Sequence, residues 1–251
     1  MLRFRFLVPA LLSIATALPL SAEGGAIVHA DVTPKYILIG FVGGFVRRDN
    51  PNHGPVRLAE YFERTDSNDA YVRVFENRHR KAAYQTILHL LDRDHDGSLS
   101  AEEKDQAHII LFGQSWGGSA AVMLARDLNR VGVPVLLTVQ VDSVAKPWQN
   151  DRMIPPNVAE AVNFYQPHGL IHGRRIIRAS NASRTEVIGN YRFDYRETPV
   201  HCQEALSWYD RVLTPGHAQS ECDPQLWGEV EALVREHMGP PASVAIADPQ
   251  P

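Results

Sequence analysis

A serine set between two glycines is the residue of this sequence whose setting best suits covalent chemistry. It lies in the segment Gly113–Gly117, which reads Gly-Gln-Ser-Trp-Gly, after the apolar run Ile109–Phe112 and before helical spacing over Ala120–Leu128. A tight, strained turn between strand and helix presents the Ser115 hydroxyl clear of the sheet, and glycines two positions away avoid a collision. The helix start behind it offers backbone N–H groups, that of Trp116 among them, to a developing oxyanion. The pattern predicts a nucleophilic serine.

This strand, G-x-S-x-G turn and helix resemble the nucleophile segment of the α/β-hydrolase superfamily, in particular its lipase- and esterase-like members. The resemblance implies one domain with a mainly parallel sheet flanked by helices, and a triad in the chain order serine, aspartate, histidine. It also implies a second oxyanion donor on a glycine-containing loop after an early strand. Gly40–Gly43 follows the predicted strand Tyr36–Ile39 and is similar to that loop, with Ile39 where the usual histidine stands. The resemblance therefore implies Phe41 as the donor.

An aspartate at the end of the next predicted strand is the candidate for the acid. The run Val133–Val141 is rich in valine and leucine, which is typical of a buried parallel strand, and Asp142 follows it. An α/β enzyme holds functional groups where its strands leave the sheet. A later predicted strand, Arg175–Ala179, ends without a carboxylate, which favours Asp142. Asp194 is the alternative acid.

The candidate base is implied by the resemblance. Members of the superfamily carry a histidine on the loop before the last helix, and His217 lies on such a loop, Leu213–His217. Asp223 and Pro224 then open the predicted helix Gln225–Met238 as its N-cap and first residue. His201 is the alternative base.

The segment Asp92–Glu103 matches the calcium loop of an EF-hand position by position. Gly97 takes the sharp turn, and Leu99 is the apolar residue at position 8. The predicted ligands are all oxygens: Asp92, Asp94, Asp96, Ser98 through its carbonyl, Ser100 through water, and Glu103 with both carboxylate oxygens. The sequence holds one such loop rather than a pair, and it ends shortly before the strand that leads to Ser115. We therefore expect structural calcium rather than a calcium sensor.

Chain length, net charge and cysteine content indicate the size of the domain, the partners to exclude and the cellular compartment. The chain has 251 residues, enough for one α/β domain, and its net charge of −4 gives no reason to expect nucleic acid or an anionic membrane surface. Residues Met1–Ala22 have the layout of a secretory signal peptide, and no later run predicts a membrane span. Cys202 and Cys222 are expected to form a disulfide in that exported setting. We expect a secreted or periplasmic protein.

Further elements follow from the spacing of the apolar residues. Helices are predicted at Pro55–Phe62, Asn77–Leu91 and Ile154–Phe164, and a strand at Ala70–Phe75. The hydrolase domain is expected over residues 23–240, followed by a disordered proline- and alanine-rich tail at 241–251.

Together these patterns predict an exported serine hydrolase that cleaves a small-molecule or lipid ester through an acyl-enzyme on Ser115. Calcium is the only cofactor implied. The lack of a long apolar insert that could act as a lid favours small or soluble esters over aggregated lipid. Two alternatives stay open: amide or thioester hydrolysis by the same residues, and a catalytically silent hydrolase-like protein that binds a ligand or partner.

Overall fold

Apolar runs that alternate with amphipathic stretches build a parallel β-sheet covered by helices. The computed structural model describes residues 34–202 and 214–239, and these belong to one compact unit. Its strands are β1 (Tyr36–Val42), β2 (Ala70–Glu76), β3 (Ile109–Gln114), β4 (Val135–Val141), β5 (Met153–Ile154), β6 (Val158–Tyr165), β7 (Arg178–Ala179) and β8 (Glu186–Arg192). Its helices are α1 (Gly54–Thr65), α2 (Arg80–Leu91), α3 (Ala101–Asp105), α4 (Trp116–Arg130), α5 (Pro215–Cys222) and α6 (Pro224–Met238), with a 3₁₀ turn at Asn77–His79.

Six strands form one sheet in the order β2-β1-β3-β4-β6-β8, and every neighbouring pair is parallel. The two short strands β5 and β7 pair separately. The mainly parallel α/β fold predicted from the sequence is therefore confirmed. Since parallel strands all end at one edge, the turns after β1, β3, β4 and β6 lie side by side there, and this is the edge where α/β sheets form their ligand sites.

Two apolar cores cover the two faces of the sheet. Ile37 and Ile109 pack on one face with residues of α2 and α4, whereas Leu38 and Ile110 pack on the other with residues of α1 and α6. Successive strand residues point to opposite faces, so both sets of positions have to be apolar. This explains why β1 reads Tyr-Ile-Leu-Ile-Gly-Phe-Val without a polar alternation.

The predicted helix at Ile154–Phe164 is wrong, because these residues lie in β5, a connecting turn and β6. Strand β6 pairs with β4 on one side and β8 on the other, and Ala161–Phe164 are all buried. Burial on both faces removes the period-two pattern that marks a strand in sequence. The proline pair at 155–156 lies in the turn between the strands, where Val158 N–H donates to the Pro155 carbonyl, rather than at the start of a helix.

The other expectations differ mainly in extent. Of the predicted strand Arg175–Ala179, only Arg178–Ala179 forms a strand, and it lies outside the main sheet. The predicted signal peptide at residues 1–22 and the predicted tail at 241–251 lie outside the described residues. Within the described ranges, no helix is long and apolar enough to cross a membrane.

Candidate active site

Ser115 lies on the turn that joins β3 to α4, in a backbone conformation that non-glycine residues rarely adopt. Its φ is 57° and its ψ is −126°. The flanking glycines leave no room for a side chain: a Cβ at Gly113 would lie 2.4 Å from the backbone of Gly117, and one at Gly117 would lie 2.1 Å from the Phe41 carbonyl oxygen. The predicted strained turn is confirmed. Its geometry depends on close backbone contact with β1.

His217 lies within hydrogen-bonding distance of both other candidates. Its Nε2 is 2.9 Å from Ser115 Oγ, and its Nδ1 is 2.7 Å from Asp142 Oδ2. The residue was expected on a loop, but it is the third residue of α5. Pro215 opens that helix, since its fixed φ suits the first helical position. The structure thus brings Ser115, His217 and Asp142 into one hydrogen-bonded chain.

Asp142 is completely buried directly after β4 and has a positive φ of 40°. Besides His217, its carboxylate accepts hydrogen bonds from two further residues. Gln166 donates from its backbone N–H at 3.2 Å and from its side-chain Nε2 at 3.0 Å, and Gly173 donates from its N–H at 2.5 Å. A buried carboxylate needs such donors in place of water. The loop that follows β6 supplies them.

Gln166 lies in the candidate site and was not predicted from the sequence. It is buried, and its amide also donates to the Ile171 carbonyl at 3.1 Å and accepts from the His168 N–H at 2.9 Å. It therefore connects Asp142 to the loop that wraps around it. No motif marks a glutamine in this role, and the prediction of a helix at Ile154–Phe164 concealed that position 166 follows a sheet strand.

The alternative acid and base lie elsewhere. Asp194 accepts from His168 Nε2 at 3.1 Å and from Arg192. The hydrogen bond from His168 is the main cause that lowers the Asp194 pKa to about 2. His201 is exposed beside Cys202. Among the described histidines, it is His217 that lies within hydrogen-bonding distance of Ser115 Oγ.

The predicted oxyanion loop begins later than expected. Phe41 lies inside β1, fully buried and in register with Phe75 and Gly113, so it is a strand residue. Phenylalanine and valine both favour strands, and β1 accordingly continues to Val42. The turn starts at Gly43, where an added Cβ would lie 2.8 Å from Ser115 Cβ. The backbone of Gly43 therefore lies next to the Ser115 side chain, while the Phe41 carbonyl lies against Gly117 of the same turn.

Side chains from two other elements hold this turn. Asn77 Nδ2 donates to the carbonyls of Val42 at 3.2 Å and Gly44 at 2.7 Å. Lys146 Nζ donates to Asn77 Oδ1 at 2.5 Å and lies 5.0 Å from the ring centroid of Trp116. Trp116, the other predicted oxyanion donor, is the first residue of α4, where backbone N–H groups lack helical partners.

Helix α5, which holds His217, is anchored by contacts to distant parts of the chain. The buried side chain of Glu221 pairs with His53, which is also buried. Cys222 forms a disulfide with Cys202, with 5.7 Å between their Cα atoms. The predicted disulfide is thus present in the structure. The position of His217 depends on these long-range links.

The predicted calcium loop lies between α2 and α3, where Leu99 packs against the core on the α2 side. Oxygens of Asp92, Asp94 and Asp96 lie within 4.8 Å of one another. Asp92 Oδ1 is buried and has no hydrogen-bond partner among the described residues, so an oxygen-binding cation would satisfy it.

Glu103 makes a different set of contacts in the same loop. Its two carboxylate oxygens accept from the N–H groups of Arg93 at 2.6 Å and Ser100 at 2.9 Å, as part of a capping box at α3. The backbone donors of Ser100 and then Arg93 lower the Glu103 pKa. The carboxylate is therefore ionised near neutral pH, the form that binds a cation.

No protein-family model matches the sequence, and no curated protein matches it. Eight chains of solved structures match. One is RedJ with a PEG molecule bound in the active site, at a TM-score of 0.37 and 10% identity, covering 65% of this chain and 85% of that chain. By its own sheet topology and contacts, the chain is an α/β protein with a serine, a histidine and an aspartate hydrogen-bonded at the carboxyl edge of its sheet.

Proposed function

We propose that this protein is a serine hydrolase that cleaves carboxylic esters through an acyl-enzyme on Ser115. The observation that supports it most is the chain of two hydrogen bonds from Ser115 Oγ through His217 to Asp142, at 2.9 and 2.7 Å. A serine hydroxyl becomes a useful nucleophile when an adjacent base takes its proton during attack. A buried carboxylate on the other ring nitrogen holds the base in the required tautomer.

In the proposed reaction, Ser115 Oγ attacks the ester carbonyl carbon while His217 Nε2 takes the hydroxyl proton. The tetrahedral intermediate collapses, the alcohol leaves with the proton that His217 returns, and the acyl group stays on the serine. Water then attacks the acyl-enzyme with His217 again as base, and the acid is released. Asp142 stabilises the imidazolium in both steps.

The oxyanion of each intermediate needs backbone donors beside the serine. Trp116 N–H at the start of α4 is one proposed donor. For the other, the turn that begins at Gly43 replaces Phe41, because Phe41 lies within β1 and Gly43 approaches the Ser115 side chain. The same parts would serve amide or thioester hydrolysis, so the leaving group has to be found by experiment.

Export and structural calcium complete the proposal. The Cys202–Cys222 disulfide is compatible with an oxidising compartment, which supports a secreted or periplasmic protein. Calcium would be held by Asp92, Asp94, Asp96, the Ser98 carbonyl, Ser100 through water and Glu103. The cluster of three carboxylates and the orphaned Asp92 Oδ1 support this assignment. The ion would brace the segment that leads into β3.

Calcium should raise the thermal unfolding midpoint, because an ion that binds the folded chain stabilises it by mass action. An unpaired loop of this kind is expected to bind with a dissociation constant on the order of 10⁻⁴ to 10⁻³ M. Asp94→Asn should weaken the calcium dependence, and Asp105→Asn, outside the loop, serves as its control. A midpoint unaffected by both calcium and chelator would contradict the assignment.

Ester hydrolysis is tested with a panel of p-nitrophenyl esters of rising chain length. The wild type should turn over at least one of them, and Ser115→Ala should lose that activity while keeping the same unfolding midpoint. Activity that Ser115→Ala retains in full would contradict the acyl-enzyme. If the wild type cleaves no ester, amide or thioester, the hypothesis of a catalytically silent protein that binds a ligand or partner is favoured instead.

A further inference from the structure

Three loops at the carboxyl edge of the sheet expose large apolar side chains. They follow β1, β4 and β6 and comprise residues 43–53, 142–152 and 166–177, which we call the edge loops. Phe45 is 85% exposed, Trp148 is fully exposed and Leu170 is 82% exposed. Because the strands are parallel and adjacent around β3, all three loops surround the end of the sheet that holds Ser115. Scattered apolar residues are ordinary on a surface, but a group at one edge marks an interaction site.

The exposed charges of the edge loops are nearly all positive. Asp49 is the one exposed carboxylate in these three fully described segments, and it pairs with Arg47. The exposed cationic side chains are Arg47, Arg48, Arg152, Arg174 and Arg175. Arg47 pairs with Asp49 and Arg174 with the buried Asp151, so Arg48, Arg152 and Arg175 are the further exposed cations of the edge loops in a chain with a net charge of −4. The overall charge, which argued against an anionic surface, conceals this distribution.

One of the exposed apolar side chains, Phe45, contacts the nucleophile turn. The Phe45 ring meets the ring of Trp116, the residue after Ser115, edge to face at 5.6 Å between centroids. Lys146 lies over Trp116 from the loop that also holds Trp148. Trp148 itself has a φ of 69°, a conformation rare for a bulky residue, and its side chain stands out in solvent. An aromatic ring held outward in this way is typical of a group that enters an interface.

We propose that the edge loops dock on the surface of an anionic phospholipid layer. Exposed tryptophan, phenylalanine and leucine would enter the headgroup region, while the arginines contact lipid phosphates. A soluble polyanion would use the arginines but would leave the apolar side chains without a role. The docking does not depend on hydrolysis. If the proposed function also holds, the substrate is an ester carried in the lipid layer, because Ser115 lies at the same edge of the sheet.

The test measures binding of the full chain carrying Ser115→Ala to vesicles by sedimentation, so that hydrolysis plays no part. Vesicles of phosphatidylglycerol and phosphatidylcholine are compared with vesicles of phosphatidylcholine alone. Binding should need the anionic lipid and weaken with added salt. Arg48→Gln with Arg175→Gln should weaken it by about fivefold per arginine. Trp148→Ser with Leu170→Ser should weaken it at least tenfold, since both lose buried apolar area.

Matched controls come from the opposite edge of the sheet. Arg184 is exposed before β8 and Val131 is exposed after α4, and Arg184→Gln and Val131→Ser should leave binding unchanged. The proposal is overturned if vesicles do not bind, if the controls weaken binding as much as the edge-loop variants, or if the apolar variants bind normally. The last result would indicate a polyanion site instead. Docking without ester hydrolysis would contradict the proposed function alone, and hydrolysis of soluble esters without docking would contradict this inference alone.

Discussion

The proposed nucleophile and its proposed base are positioned in opposite ways. Ser115 lies on a turn that residue types two positions away make possible, because Gly113 and Gly117 allow close contacts within the turn and with the backbone of β1 that no side chain could enter. His217 lies on a short helix held by distant residues, through the Glu221–His53 pair and the Cys222–Cys202 disulfide. A candidate site can therefore depend on residue types close in sequence at one position and on contacts between distant residues at another. Each half can be disrupted separately.

The largest effect is expected from the base. His217→Ala should lower kcat by roughly 10³-fold or more, because the serine and its base act as one unit. His201→Ala, the matched histidine control, should keep wild-type kinetics with p-nitrophenyl esters. If His201→Ala abolished turnover and His217→Ala did not, the assignment of the base would be wrong.

The next largest effect is expected from a variant that crowds the turn holding Ser115. Gly117→Ala puts a Cβ against the Phe41 carbonyl, and the backbone on both sides is too rigid to move away. The free energy of unfolding should therefore fall by about 3 kcal/mol. Gly228→Ala is the control, since the site within α6 is open and alanine favours helices. Urea unfolding measures both, and equal stability of the two variants would contradict the packing of the turn.

The same contrast explains what the sequence could predict. The serine turn, β3 and α4 were predictable because glycine spacing and apolar periodicity are local signals. The helical setting of His217 was not predicted, because the eight-residue helix α5 has too few apolar residues for a periodic pattern. The strand β6 was not predicted, because it is buried on both faces and lacks the alternation that marks a strand. The candidates Ser115, Asp142 and His217 were predicted from residue type and chain order, and hydrogen bonds join them in the structure. No sequence motif marks Gln166.

A third prediction concerns the disulfide that anchors α5, the helix that holds His217. Reducing the Cys202–Cys222 disulfide frees a loop with a sequence separation of 20, worth roughly 3 kcal/mol in the chain-entropy model. Turnover should fall at reductant concentrations that leave the far-ultraviolet circular dichroism unchanged, because His217 shifts before the fold is lost. Cys202→Ser with Cys222→Ser should show the reduced activity without reductant. Full activity in that double variant would show that α5 does not need the link.

The smallest effect is expected at Gln166, which we assign as a positioning residue. Gln166→Leu removes the 3.0 Å hydrogen bond to Asp142 Oδ2 while keeping the side-chain volume, so kcat should fall about tenfold with little change in KM. With one donor fewer, the carboxylate attracts the protonated imidazole more strongly, and the acid limb of the pH profile should move to higher pH. Gln225→Leu, on an exposed site of α6, is the control. An unchanged pH profile would leave Gln166 a purely structural residue.

The most direct measurement of the proposed triad is labelling with a fluorophosphonate, which reacts with an activated serine. Mass spectrometry of the digested wild type should find one adduct, on Ser115, and labelling should disappear in His217→Ala and persist in His201→Ala. An adduct on another serine, or a Ser115 that reacts equally with and without His217, would contradict the account that His217 activates Ser115.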